Sequence, residues 1–228
     1  MRSLVDDIAS LLRIAAEDLP NVEPLEHDFA EVVKDDINIK NEMWQCTGLR
    51  KIHIEVAKTK YLEIIHSVFF PDPRYNLPIF GCDIIDTGKV VTAAIVDVSP
   101  VSGVNKFYSR IKPIADNFTD FDFRKLPEWG DIFSPHFKFM RLHEEIERAN
   151  YYCLLLNYLK EFTTEVKKAE RGNMEETYKR YQDQVYYSEQ QRKNPKTIAV
   201  LSKWFGEEWA MNYIENILFC KPKPMLTL

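Results

Sequence analysis

The chain has 228 residues, 45% hydrophobic and 29% charged, with a formal net charge of −5. This composition argues against a disordered tract or a membrane bundle, and it suits one domain that buries about 70% of its unfolded surface. The acidic balance makes nucleic acid a poor partner, and no apolar run is long enough to cross a bilayer.

Ser3 with Asp6 forms a capping pattern, and Leu4, Ile8, Leu11, Leu12 and Ala15 recur at helical spacing, so an amphipathic helix opens the chain. Asp6 and Asp7 stand where a signal or transit peptide would avoid acid, so a cytoplasmic protein is expected. From about residue 37 to 98 the pattern turns to β-rich runs, at 47–58, 61–70, 77–85 and 90–98, broken by Pro71-Asp72-Pro73 and Asp86-Thr87-Gly88. Connections this short imply antiparallel neighbours. Residues 144–168 read as a helix, with Ile146, Ala149, Cys153, Leu156 and Leu159 on one stripe. Asn173 with Glu176 caps the next helix, which carries Met174, Tyr178, Tyr181 and Val185 to about residue 190. Asn194-Pro195 supplies a cap and a first-turn proline, and a last helix carries Trp209, Tyr213, Ile214, Ile217 and Leu218. Strands followed by helices, with one helix leading, predict a single-domain α/β fold over residues 1–228: a three-layer α/β/α sandwich around a central antiparallel sheet.

Cys46, Cys82, Cys153 and Cys220 form no C-x-x-C pair and read as buried thiols. The seven glycines form neither G-x-G-x-x-G nor G-x-x-x-x-G-K, so flavin and nucleotide loops lack their signature. Redox work by this chain would take its electrons from outside. The strands themselves carry the sharper signal. His53 and Glu55, two apart, share one strand face, while Ile52, Ile54 and Val56 take the other. His66 lies among Ile64, Ile65 and Val68, and Asp83 stands between Phe80 and Ile84, where a strand disfavours aspartate. Ionisable groups facing the covered side of a sheet are costly unless paired or used, and proton chemistry explains three neighbouring strands repeating that cost. Taken singly, Glu55 could pair with Lys51 or Lys58, His66 could be a satisfied core histidine, and Asp83 could cap a turn.

Five separated blocks together resemble the ferredoxin-dependent bilin reductases: RKIHIEVAK at 50–58, FPDPRYNLPIFGCD at 70–83, TAAIVDVSP at 92–100, LPEWGDIFS at 126–134, and QQRKN at 190–194 continuing through FGEEWA at 205–210 to Leu218-Phe219. The resemblance covers nearly all of the chain beyond residue 45. It implies an antiparallel sheet between helices, a linear tetrapyrrole between the sheet and the C-terminal helices, and no bound cofactor. Reduced ferredoxin, a [2Fe–2S] protein, would deliver electrons singly, and biliverdin IXα would be reduced by four electrons to phycocyanobilin through radical intermediates. The family's essential glutamate, histidine and aspartate match Glu55, His66 and Asp83.

In that reading Asp83 donates a proton near neutral pH, which requires its acidity to be weakened by burial and a neighbouring carboxylate. His66 shares and relays the proton, and Glu55 serves the vinyl group of the D ring. His53 stands behind the trio, holding a water or orienting His66. Thr92, Arg124 and Lys196 match positions that hold the propionates, and Lys196 lies just inside the helix that Asn194 caps. Asn194 reads equally as a cap or a substrate contact. Pro195 replaces the family's usual aspartate, and the stretch between Glu55 and His66 is one residue shorter than typical; these departures bear on the A-ring contacts and on the position of Glu55. Alternatives are reduction to phycoerythrobilin through a 15,16-dihydro intermediate, which the glutamate at residue 55 disfavours, and a bilin carrier without turnover. A monomer is expected. Lys167, Lys168, Arg171, Arg192, Lys193, Lys203, Lys221 and Lys223 are candidates for steering an acidic ferredoxin.

Overall fold

The computed structural model describes residues 3–224, so the expected domain over 1–228 extends beyond the described residues at both ends. The opening helix α1 spans Leu4–Glu17, and Ser3 caps it by accepting from the Asp6 amide at 3.2 Å. Strands follow as β1 (Glu23–Pro24), β2 (Glu31–Lys34), β3 (Ile37–Cys46), β4 (Leu49–Lys58), β5 (Glu63–Pro71), β6 (Ile79–Asp86) and β7 (Val91–Ser99). Helix α2 (Asn105–Asn117) and the short strands β8 (Asp122–Phe123) and β9 (Lys138–Leu142) precede four helices: α3 (Glu145–Val166), α4 (Met174–Gln191), α5 (Pro195–Phe205) and α6 (Glu207–Tyr213). A π-helical turn over Ile214–Leu218 continues α6.

The strands form one sheet in the order β1-β3-β4-β5-β6-β7-β9-β8, with β2 also beside β3, and every pairing is antiparallel. Helices α1 and α3 pack on one face, while the residues of α4, α5 and α6 join the cluster on the other, giving the expected α/β/α layering. On the first face Ile52, Ile54, Ile65, Phe69, Phe80, Cys82 and Ile84 meet Leu12, Leu155, Leu159 and Phe162 in one apolar core. The Phe69, Phe80 and Phe162 rings contact one another with centroids 5.4–6.0 Å apart. Each such side chain, fully buried, contributes about 1.5–3 kcal/mol, so this face carries much of the stability.

Two helix stripes differ from the sequence expectation. In α3, Ile146 and Leu156 are exposed, and so are Ala149 and Cys153; the buried face is Tyr151, Leu154, Leu155, Tyr158, Leu159 and Phe162. The larger aromatic rings win that face because they bury more area. In α4, Met174 and Tyr178 face outward while Thr177, Arg180, Gln184, Tyr187, Ser188, Gln190 and Gln191 are buried. This polar face is held by hydrogen bonds: Arg180 donates to the Pro73 carbonyl at 2.7 Å, and Gln184 accepts from Arg50 at 3.0 Å. The thiols also divide, with Cys82 buried, Cys46 and Cys220 partly buried and Cys153 exposed.

Gly206 separates α5 from α6 at φ 94°, a left-handed conformation that glycine adopts without strain. The reversal turns α6 onto the second sheet face and buries Tyr213 there.

Candidate active site

Strand register sets the site. Asn41 on β3 lies opposite Glu55 on β4, Glu55 opposite His66 on β5, and His66 opposite Asp83 on β6. Directly paired residues point to the same face, so four polar side chains run in one line across four strands. The same alternation sends Ile54, Ile65 and Ile84 to the opposite core.

His66 Nδ1 lies 2.6 Å from Asp83 Oδ1; the histidine side chain retains 10% of its exposure and the aspartate 36%. Burial opposes the imidazolium, but the charge and hydrogen bond of Asp83, with Glu55 beyond, outweigh it and raise the proton affinity of His66 above the ordinary histidine value. Among the described residues, Nε2 of His66 has no hydrogen-bond partner. Burial pushes the Glu55 carboxyl above the usual carboxylate range, against the pull of His66 and a hydrogen bond from Tyr213. The Tyr213 hydroxyl oxygen lies 2.5 Å from Glu55 Oε2. Lys51 instead donates to the Ile217 carbonyl, and Lys58 pairs with Asp6 at 2.8 Å, so neither lysine gives Glu55 a simple ion pair.

His53 is fully buried, and its Nε2 lies 2.8 Å from Asn41 Oδ1. Burial, followed by the charges of Lys51, His66 and His27, pushes its pKa well below the ordinary value, so the ring is neutral. Its ring approaches that of His66 edge-on with centroids 6.0 Å apart, without a hydrogen bond between them.

Glu55, His66 and Asp83 open onto a cavity of about 670 Å³, a size suited to a drug-sized or larger organic ligand. Its floor continues through Ile64, Ile85, Ala93 and Ile95; aromatic rings of Trp129, Phe133, Phe137 and Phe139 form one wall, and α5 with Leu218 and Phe219 closes the other side. Thr92, Arg124, Arg141, Asn194 and Lys196 also line it. Arg124 donates to the Thr92 carbonyl at 2.8 Å and lies over the Phe139 ring at 4.6 Å, which fixes its guanidinium beside the cavity. Asn194 caps α5 by accepting from the Lys196 amide at 3.1 Å while also lining the cavity. Among the described residues, no three His, Cys, Asp or Glu side chains converge as metal ligands.

The family profile described as ferredoxin-dependent bilin reductase matches residues 3–220. The chain belongs to that family. A phycocyanobilin:ferredoxin oxidoreductase of Prochlorococcus marinus (strain MIT 9303) is 36% identical over 233 residues, covering 97% of this chain and 88% of the relative. Its namesake in Synechococcus sp. (strain CC9605) is 39% identical over 235 residues, covering 96% and 93%. The crystal structure of tomato phytochromobilin synthase in complex with biliverdin superposes with a TM-score of 0.81 over 92% of this chain and 82% of that one, at 15% identity, and so shares the fold.

Seven of the eight residues singled out in this bilin reductase from sequence line one cavity; the eighth, His53, shares the strand face of Glu55 but is buried against Asn41 and does not line it. The sequence reading missed Asn41 and Tyr213, which surround Glu55 and His53, and Arg141 at the cavity. Asn41 stands on a strand that was not recognised as a separate run, and Tyr213 read only as a helix core residue. Among the steering candidates, Lys167 pairs with Asp18, Arg192 with Glu215 and Lys221 with Glu189. No helix of the described residues is long and apolar enough to cross a membrane.

Proposed function

We propose that this chain reduces biliverdin IXα to phycocyanobilin, taking four electrons singly from a [2Fe–2S] ferredoxin with no cofactor of its own. The observation that carries the reading is the line Glu55–His66–Asp83 facing a single cavity. Electrons arriving one at a time leave charged bilin radicals, and each is stabilised by prompt protonation from a group already in place. The Asp83–His66 pair holds one such proton between an imidazole and a carboxylate, and the partly exposed Asp83 lines the cavity where the pigment would lie. Glu55, whose acidity burial weakens, serves the vinyl group of the D ring. Its placement directly opposite His66 lets charge at one site influence the other.

Arg124 and Lys196 are assigned to the propionates, with Thr92 and Asn194 beside them. Thr92 acts through its carbonyl, which holds Arg124, and Asn194 through the cap that sets the first turn of α5. His53 stands beside the trio on the same sheet face, hydrogen-bonded to Asn41. The chain is assigned as a cytoplasmic, monomeric single-domain enzyme.

The test is an anaerobic incubation with biliverdin, reduced ferredoxin and an oxygen scavenger, followed by chromatography of the pigments. Phycocyanobilin is the expected product. Recovery of phycoerythrobilin would overturn the regiochemistry, and unchanged biliverdin in the presence of tight binding would mark a carrier.

A further inference from the structure

Behind Glu55 lies a hydrogen-bonded group that has no assigned part in the reaction. The Tyr213 hydroxyl is 2.5 Å from Glu55 Oε2 and 2.8 Å from Asn41 Oδ1, and the same Oδ1 is 2.8 Å from His53 Nε2. Asn41 Nδ2 donates to the Phe29 carbonyl at 2.7 Å, which fixes the amide with its oxygen toward Tyr213 and His53. Asn41, His53, Glu55 and Tyr213 are all buried, and the Tyr213 ring is clamped by Trp209, stacked at 4.7 Å, and by Phe29 at 5.6 Å.

Counting protons shows what this arrangement prefers. A tyrosine hydroxyl has one proton and can also accept; an amide oxygen only accepts. With Glu55 protonated every contact is satisfied: the carboxyl O–H donates to the Tyr213 oxygen, Tyr213 donates to Asn41 Oδ1, and neutral His53 donates to the second lone pair of that oxygen. With Glu55 ionised, the Tyr213 proton must turn to Oε2. The Tyr213 and Asn41 oxygens then face each other with no proton between them, a buried mismatch that costs free energy.

We propose that Asn41 and Tyr213 are positioning residues that hold Glu55 in its acid form until it donates, and that the Tyr213 hydroxyl then swings from Asn41 to the carboxylate left behind. The inference rests on the donor role proposed above for Glu55. One proton moves, from Glu55 to the bilin, which has received its electron from ferredoxin; Tyr213 keeps its own proton and only reorients. Asn41 thus opposes ionisation, while Tyr213 supports whichever form is present. The charged and titratable groups around Glu55 are Lys51 and His53 on its own strand, His66 from β5, Asp83 from β6 and Tyr213 from α6, and β3 presents only the neutral Asn41. None but the residue exchanged changes in the variants below.

The direct readout is the infrared carbonyl band of a protonated carboxylic acid in the ligand-free protein, assigned to Glu55 by its loss in Glu55→Gln and titrated with pH. Asn41→Leu frees Tyr213 to serve the carboxylate, so the midpoint is expected to fall by about one pH unit, the scale of one net hydrogen bond. Tyr213→Phe removes the donor that stabilises the carboxylate, so the midpoint is expected to rise. Asn41→Asp keeps an acceptor at the same point and is expected to titrate no lower than wild type. Should Asn41→Leu not fold, Asn41→Ser carries the same expectation. The alkaline limb of kcat should follow each midpoint, with KM nearly unchanged. A midpoint that is unmoved or raised in Asn41→Leu, or shifts of one sign in both Asn41→Leu and Tyr213→Phe, would overturn the proposal. Failure of the reductase reading appears differently: no bilin is turned over, while the infrared midpoints still separate as described.

Discussion

The two faces of the central sheet are built from alternate residues of the same strands, yet they perform different work. Ile54, Ile65 and Ile84 are wholly buried in an apolar core against α1 and α3, whereas their neighbours Glu55, His66 and Asp83 face a cavity of about 670 Å³. The contrast teaches that rigidity and reactivity are separated by one residue of register, because a pleated strand turns successive side chains in opposite directions. The apolar face fixes the strands, and fixed strands hold acid groups in line without flexible loops.

The comparison is broken most severely by removing an acid from the reactive face. Asp83→Asn is expected to lower kcat by about 10²–10⁴-fold while biliverdin binding, followed by its absorbance change, stays near wild type. Retained turnover would show that Asp83 is not a proton donor. On the other face Phe69→Ala is expected to cost about 3–5 kcal/mol in denaturant unfolding, because the ring is fully buried against Phe80 and Phe162. A loss below about 1 kcal/mol would contradict the assignment of stability to that core. Arg124→Ala is expected to weaken biliverdin binding about tenfold, the loss of one charged hydrogen bond, with little change in kcat. Equal affinity would remove the propionate assignment.

The smallest effect concerns stability against pH. Burial raises the proton affinity of Glu55 above its unfolded value, so its favourable contribution is complete at acid pH and is lost as pH rises through the folded-state value. Glu55→Gln should therefore match wild type in acid and become the more stable protein as pH increases. A thermal-shift series in which the two diverge in the opposite direction would show that Glu55 is stabilised as a carboxylate.

Alternation made the reactive line legible in the sequence, since an ionisable residue interrupting an apolar strand is visible without coordinates. The central strands β4 to β7 were recognised for the same reason. Strand β3 was less distinct because Asn38, Lys40, Asn41 and Glu42 dilute its apolar residues, although Ile37, Ile39 and Met43 are buried. Helix α2 was missed because it lacks a side-chain cap and carries Pro113 inside. The burial of Arg180 and Gln184 in α4 could not be read from an apolar stripe, because the groups they bond, the Pro73 carbonyl and the Arg50 guanidinium, are distant in sequence. The part played by Tyr213 depends on how Gly206 turns α6 onto the sheet, and no local pattern encodes that placement.

The central claim is tested most directly by one panel of variants drawn from adjacent positions and assayed together for phycocyanobilin formation from bound biliverdin by reduced ferredoxin. Glu55→Gln, His66→Gln and Asp83→Asn are predicted to bind the pigment and fail to complete its reduction, while Ile54→Val, Ile65→Val and Ile84→Val turn over near the wild-type rate. Full product from the three polar-face variants would contradict the account.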